Sequence, residues 1–435
     1  MKRFAAVLLC LLLVLGCMAP AYAAQVPAGV QSPAYLVMDA VSGLVLFGQQ
    51  PDAACDPAAL TKLMTLGMAC EKADGSWDIP LTVSGEAVSS FDHAGASHIS
   101  LAEGESASLA DFLHAVMLSG ANDACNVLAA YISPDGTLAG GVAAMNEKAR
   151  ALGLENTHFA NSHGMTEAGH QSTPRELLQI LRWALAQPGF ADLFTRSDAY
   201  TMAATAQQSQ RVFRLKEPLR MGGAGSSPAV LGAKSGYTDA AGHTCACLAR
   251  QDGKTLLCVV LQAPDQTALV QDVNTILDEA FAQYRLVNVA AQTAQKPVSV
   301  RGGGQVLGTS GASVPGFTVL LHQSLGADAL TLAETETLYT MGGTLPAARF
   351  TVDGGGVQLD GTILRPMQLT DLQAVIAAVP GQPLKRQEKL PPARKILASI
   401  TPLEALALIL AGILIVLTVI KVWQVKRNWL HHDGK

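Results

Sequence analysis

The chain has 435 residues, enough for two or three domains, and its 35 acidic against 30 basic residues leave a net charge of −5, which gives no sign of a nucleic-acid partner. A charged fraction of 15% against 49% hydrophobic residues excludes a disordered or coiled-coil chain. It is also more apolar than a plain soluble globule, so part of it is expected to be membrane-directed.

At the N-terminus, Lys2 and Arg3 precede the apolar run Phe4 to Gly16, and Ala21-Tyr22-Ala23 then supplies the small residues of a signal-peptidase site. Residues 1–23 therefore read as a removed signal peptide. Val14-Leu15-Gly16-Cys17 is a loose lipobox, and lipoprotein processing at Cys17 is the alternative.

Residues 32–286 read as one mixed unit. Ala34 to Ala40 and Leu44 to Gly48 flank Val41-Ser42-Gly43 as a β-hairpin. A helix follows, with Asp56 able to cap it, Pro57 at its first turn, and Leu60, Leu63, Met64, Gly67 and Met68 as its buried stripe. A second helix starts at Ser108, where Asp111 completes a capping box; Leu109, Phe112, Leu113, Val116 and Met117 form its face, and Ser119-Gly120 ends it. Another begins near Asn122, and one more at Thr173-Pro174-Arg175-Glu176, a further capping box. Gly242 to Ala249 and Thr255 to Ala263, joined by Gln251-Asp252-Gly253-Lys254, read as an antiparallel pair, and Ala268 to Tyr284 as a closing helix. The order strands, helices, strands gives an α+β class with helices packed on an antiparallel sheet.

From 288 to 382 short Val/Leu/Thr runs broken by glycines indicate a small all-β domain. Residues 383–401, with Pro391-Pro392 and basic side chains, read as a linker. Ala405 to Ile420 carries no charge and, with Leu403, Val422 and Trp423, makes a transmembrane helix over 402–423, followed by a basic cytoplasmic tail over 424–435. The body would then face outward from the cytoplasmic membrane, tethered by its C-terminus. Cys10 and Cys17 lie in the signal. Among the other six, Cys70, Cys125 and Cys258 sit in apolar stretches as small core residues, and no Cys-x-x-Cys or zinc-type His spacing implies a metal or cofactor.

The informative stretch is Asp56-Pro57-Ala58-Ala59-Leu60-Thr61-Lys62, with Ser119-Gly120-Ala121-Asn122-Asp123-Ala124 and Lys234-Ser235-Gly236-Tyr237-Thr238 following in order. These blocks resemble the Pro-Ala-Ser-x-x-Lys, Ser-x-Asn-Asp-Ala and Lys-Thr/Ser-Gly motifs of the penicillin-binding D-alanyl-D-alanine carboxypeptidases, relatives of the serine β-lactamases. Leu36-Val37-Met38-Asp39, Ile99 to Glu105, His158 to Gly164 and Phe281-x-x-Tyr284 extend the likeness over nearly all of 32–286. The resemblance implies a β-lactamase/DD-peptidase-like fold and a catalytic set of Lys62, Asn122 and Lys234. Two hydroxyls are missing from that set, because the nucleophile position is Ala59 and the second serine position is Gly120. Leu215-Lys216-Glu217-Pro218 departs from the Asn-rich stretch usual before the third block. His158 and His163 read as residues hydrogen-bonded locally in a turn.

By the same resemblance, the backbone N–H groups of Ala59 and Tyr237 would form the oxyanion hole, and Lys234, Ser235, Gly236, Tyr237 and Thr238 would bind substrate. Lys234 and Ser235 would hold the terminal carboxylate of a stem peptide ending in D-Ala-D-Ala. The expectation is a membrane-anchored, catalytically inactive homologue of peptidoglycan carboxypeptidases that still binds stem peptide or a protein partner of unspecified kind. Two alternatives stay open: an active carboxypeptidase in which Ala59 replaces a native serine, and an exported interaction module acting through 288–382.

Overall fold

In the computed structural model the described residues run from 27 to 369, apart from 92–94, 222–224, 294–296, 303–304, 334–337, 341–346 and 353–362. The expected signal peptide, linker, transmembrane helix and tail all lie outside them. Among the described residues no helix is long and apolar enough to cross a membrane.

Five strands make the central sheet: β1 (Ala34–Asp39), β2 (Val45–Gln49), β3 (Val230–Thr238), β4 (Gly242–Gln251) and β5 (Lys254–Ala263), in the order β2-β1-β5-β4-β3 and antiparallel throughout. Side chains alternate between its two faces. Leu36, Met38, Ala246, Leu248, Leu257 and Val259 enter one hydrophobic core. Tyr35, Val37, Cys245, Cys247, Cys258 and Val260 enter the other. Both faces are covered, which is why these strands read as nearly unbroken apolar runs.

The turns follow from their residues. Asp39 accepts from the backbone N–H groups of Val41 and Ser42 and from the Ser42 hydroxyl, closing the first hairpin as expected. Between β4 and β5 the turn contracts to Asp252-Gly253, both with positive φ (50° and 76°), and Gln251 and Lys254 pair across it. That is the geometry of a two-residue hairpin, tighter than the four-residue connection read from the sequence.

The first core holds the helices α1 (Lys62–Ala73), α2 (Leu109–His114), α3 (Asn122–Ile132), α4 (Leu138–Ala151) and α5 (Pro174–Leu185); α6 (Gln266–Gln283) covers the opposite face. The expected α1 stripe is buried, as is the α2 face, each full Leu or Phe contributing roughly 1.5–3 kcal/mol. Ser108 and Asp111 form the reciprocal capping box. At α5 only half of the expected box exists: Thr173 accepts from the Glu176 N–H, but the buried Glu176 carboxylate turns to the Asn156 N–H (2.9 Å) and the Thr157 hydroxyl (2.5 Å). With the Asn156 side-chain amide at 3.1 Å as well, it anchors a loop through three donors instead of serving one at Thr173. The closing helix ends at Gln283, one residue short of the expected end, and Tyr284 opens β6 (Tyr284–Val289), which pairs with β7 (Phe317–His322). The Tyr284 hydroxyl donates to the Leu46 carbonyl at 2.6 Å, so the β-rich segment shares the second core with the sheet. Among the described residues after 288, the elements are short strands and one helical turn, Ala327–Ala329.

Candidate active site

The site is built at the head of α1. One 3-10 turn, Ala58–Thr61, precedes the helix, and Ala58 has φ +46°, a left-handed conformation that costs a non-glycine residue on the order of 1–3 kcal/mol. Two neighbours hold it there. The Asp56 carboxylate accepts from the Ala58 N–H at 2.8 Å. Gly164, itself at φ +87°, lets the Ala58 carbonyl approach so closely that a Cβ on residue 164 would lie 1.8 Å from that oxygen. The strain delivers Ala59, half-buried, to the floor of a cleft of about 280 Å³.

Lys62 lies one turn further on and is buried; its ammonium donates to the His163 carbonyl. Burial pushes its pKa down to about 8, and the charge of Lys234 adds to the shift against an opposing contribution from Cys125. Such an amine is readily neutralised and suited to accepting a proton. The His163 ring sits beside the cleft, where burial and then the Lys62 charge push its pKa down to about 3, so it stays neutral. Its Nδ1 accepts from the Met165 N–H at 3.2 Å, the local bonding expected for it. His158 also behaves as expected: its Nδ1 lies 3.0 Å from the Gly169 carbonyl and its backbone bridges Gln171.

The wall opposite comes from the end of α2 and the start of α3. A wider π turn, Ala115–Ser119, extends α2 and stops at Gly120 (φ +69°), after which Asn122 begins α3. A Cβ on Gly120 would lie 3.8 Å from the Lys234 Nζ and 3.9 Å from the Ser97 Oγ. The space would take a hydroxymethyl group, while the backbone conformation suits glycine. Ser119 lines the cleft beside it. The Asn122 N–H donates to the Ser97 carbonyl at 2.8 Å, and the Asp123 carboxylate accepts from the Ile99 and Leu101 N–H groups, laying residues 97–101 against the cleft.

The third wall is the edge strand β3. A Cβ on Gly236 would come 2.6 Å from the Ala59 nitrogen, so glycine is what allows the strand to close on the helix head. The Ser235 N–H points away from β4, and in an antiparallel strand the Tyr237 N–H two residues on points the same way, toward the cleft edge. Tyr237 is 57% exposed, its ring tilted at 36° against that of His243 and its hydroxyl donating to Asp239 at 2.7 Å. The Thr238 hydroxyl oxygen accepts from the Ala241 N–H and from the Thr166 hydroxyl.

Residues from all three sequence blocks, Ala59, Lys62, Gly120, Asn122 and Lys234 to Thr238, thus line one cleft. Ser97 and Glu217 also line it and were not anticipated. Glu217 alters the expected chemistry. Its buried carboxylate accepts from the Ser235 N–H at 2.8 Å and the Ser235 hydroxyl at 2.6 Å, and lies 3.8 Å from the Lys234 Nζ. The groups expected to hold a ligand carboxylate already hold one from the chain. All six described cysteines are buried and unpaired, and no cluster of potential metal ligands occurs among the described residues.

A family model of D-alanyl-D-alanine carboxypeptidase matches residues 21–265. The chain is 29% identical over 246 residues to the D-alanyl-D-alanine carboxypeptidase DacF of Bacillus subtilis, covering 56% of this chain and 60% of that one. It is 30% identical over 265 residues to DacC of Escherichia coli, covering 59% and 63%. The match therefore spans about three fifths of the length of these relatives. Two solved structures share the fold: the carboxypeptidase DacD from Francisella tularensis (TM-score 0.56, 19% identity, 79% of this chain and 94% of that one) and an S96A mutant of the Streptomyces K15 DD-transpeptidase (TM-score 0.54, 24% identity, 58% and 98%). With the family match covering more than half of its length, the chain belongs to the D-alanyl-D-alanine carboxypeptidase family.

Proposed function

We propose that this chain is a catalytically silent member of its family, one whose cleft binds peptidoglycan stem peptide without cleaving it. The observation that carries the reading is Ala59. It stands at the head of α1, three residues before a buried, low-pKa lysine, where acyl transfer needs a nucleophile, and a methyl group cannot attack a carbonyl. Gly120 withholds a second hydroxyl from the space facing Lys234. Removing the serine of a comparable acyl-transfer site costs on the order of 10⁶ in turnover.

Binding does not need that hydroxyl. The strained Ala58, the Gly236 approach to Ala59 and the lysines at 62 and 234 keep the geometry of a peptide cleft, and the backbone donors at 59 and 237 can still bond a carbonyl. We place the body outside the cytoplasmic membrane, on the strength of the signal-like residues 1–23 and the uncharged run Ala405 to Ile420. The test is D-alanine release from a D-Ala-D-Ala stem peptide by the full chain and by its Ala59→Ser variant. No release by the native chain is expected, and turnover by the native chain would refute the reading.

A further inference from the structure

We infer that Glu217 occupies the carboxylate-recognition position of the cleft, making it selective for a peptide whose recognised end is a neutral, N–H-donating carboxamide instead of a free carboxylate. This rests on the reading of the cleft as a peptide site and specifies what it takes.

Two donors and one cation converge at this point: the Ser235 N–H and hydroxyl, on Glu217 at 2.8 and 2.6 Å, and the Lys234 ammonium in ion-pair range at 3.8 Å. Such a convergence of charge-assisted donors is a carboxylate site, and here it is filled by a side chain of the same molecule. Glu217 is 4% exposed and Lys234 5%, so water screens the pair poorly. A second carboxylate would have to share one ammonium with the first, or expel it and leave its charge buried. Pro218 follows directly and restricts the Glu217 backbone to extended conformations, and the Arg220 N–H bonds back to the Glu217 carbonyl at 3.0 Å, so the segment is held as well as the side chain.

A neutral ligand meets the opposite situation. The two carboxylate oxygens offer about four acceptor positions, and the two Ser235 hydrogen bonds take one on each oxygen, with the Lys234 ammonium at ion-pair distance from Oε1, so Oε2 keeps an acceptor position for an incoming N–H. A primary carboxamide or a continuing peptide bond supplies that donor with no added charge.

Titration calorimetry on the full chain tests the assignment, with diacetyl-L-Lys-D-Ala-D-Ala as the free acid and as its primary carboxamide, against the native protein and Glu217→Gln. The native chain is expected to bind the carboxamide about tenfold more tightly, and Glu217→Gln to shift the preference toward the acid by a similar factor. Native protein that binds the acid as well as or better than the carboxamide overturns the assignment and leaves the peptide reading standing. If neither peptide binds either protein, both fall. The native acid-to-amide ratio needs no variant, so a folding defect in Glu217→Gln leaves the test intact.

Discussion

Replacing Lys62 with methionine isolates the physical state of the amine beneath Ala59. Burial lowers its pKa from 10.5 to about 8, so the unfolded chain binds more protons than the folded one between those values. Stability must therefore rise with pH across that window, the reverse of the behaviour of a lysine gaining an anionic partner. Below about pH 8 the charged amine costs the fold about 3 kcal/mol; between about pH 7 and about pH 9.5 roughly 2 kcal/mol of that is relieved. Lys62→Met removes this dependence. It also leaves the His163 carbonyl without its donor, a loss of about 1–3 kcal/mol that does not vary with pH. Urea unfolding of both proteins at about pH 7 and about pH 9.5 gives the difference in slope. The native protein should gain about 2 kcal/mol more than the variant over this range. Parallel curves would refute the claim that Lys62 is held in a low-pKa state.

Gly164→Ala should destabilise by about 2–5 kcal/mol, because it combines a left-handed backbone with a clash on the Ala58 carbonyl, whereas Gly136→Ala, at φ +75° in open space, should cost only about 1 kcal/mol. Equal shifts in unfolding midpoint would show that Gly164 does not hold the strained residue. Glu105→Ala should cost about 3–5 kcal/mol, since the fully buried Glu105 carboxylate pairs with Arg211, which would keep its bond to the Ile99 carbonyl, and also accepts from the Thr205 hydroxyl and the Ala102 N–H. Asp52→Ala, which breaks the exposed pair with Arg175, should stay within about 1 kcal/mol by the same assay.

What the sequence made legible was local or periodic. Ser108 and Asp111 cap each other across three residues, and the stripe from Leu60 to Met68 repeats at helical spacing, so both could be read without tertiary information. The three motif blocks were legible as chemistry, and folding assembles them in one cleft. Helix α4 was missed because Gly140-Gly141 opens it and its buried face is only Gly141, Met145 and Ala149, too weak a stripe to stand out. Glu176 was half right, since its carboxylate is drawn to a loop twenty residues away. Glu217 was visible only as a departure from a pattern. Its role depends on meeting Ser235, eighteen residues on in an edge strand, and nothing in Leu215-Lys216-Glu217-Pro218 announces that contact.

The central claim is that Ala59 leaves a formed cleft without a nucleophile. Intact-protein mass spectrometry after incubation of the full chain with excess benzylpenicillin tests it most directly, with Ala59→Ser run in parallel. The native protein should show no added mass; a stoichiometric penicilloyl adduct on it would contradict the account.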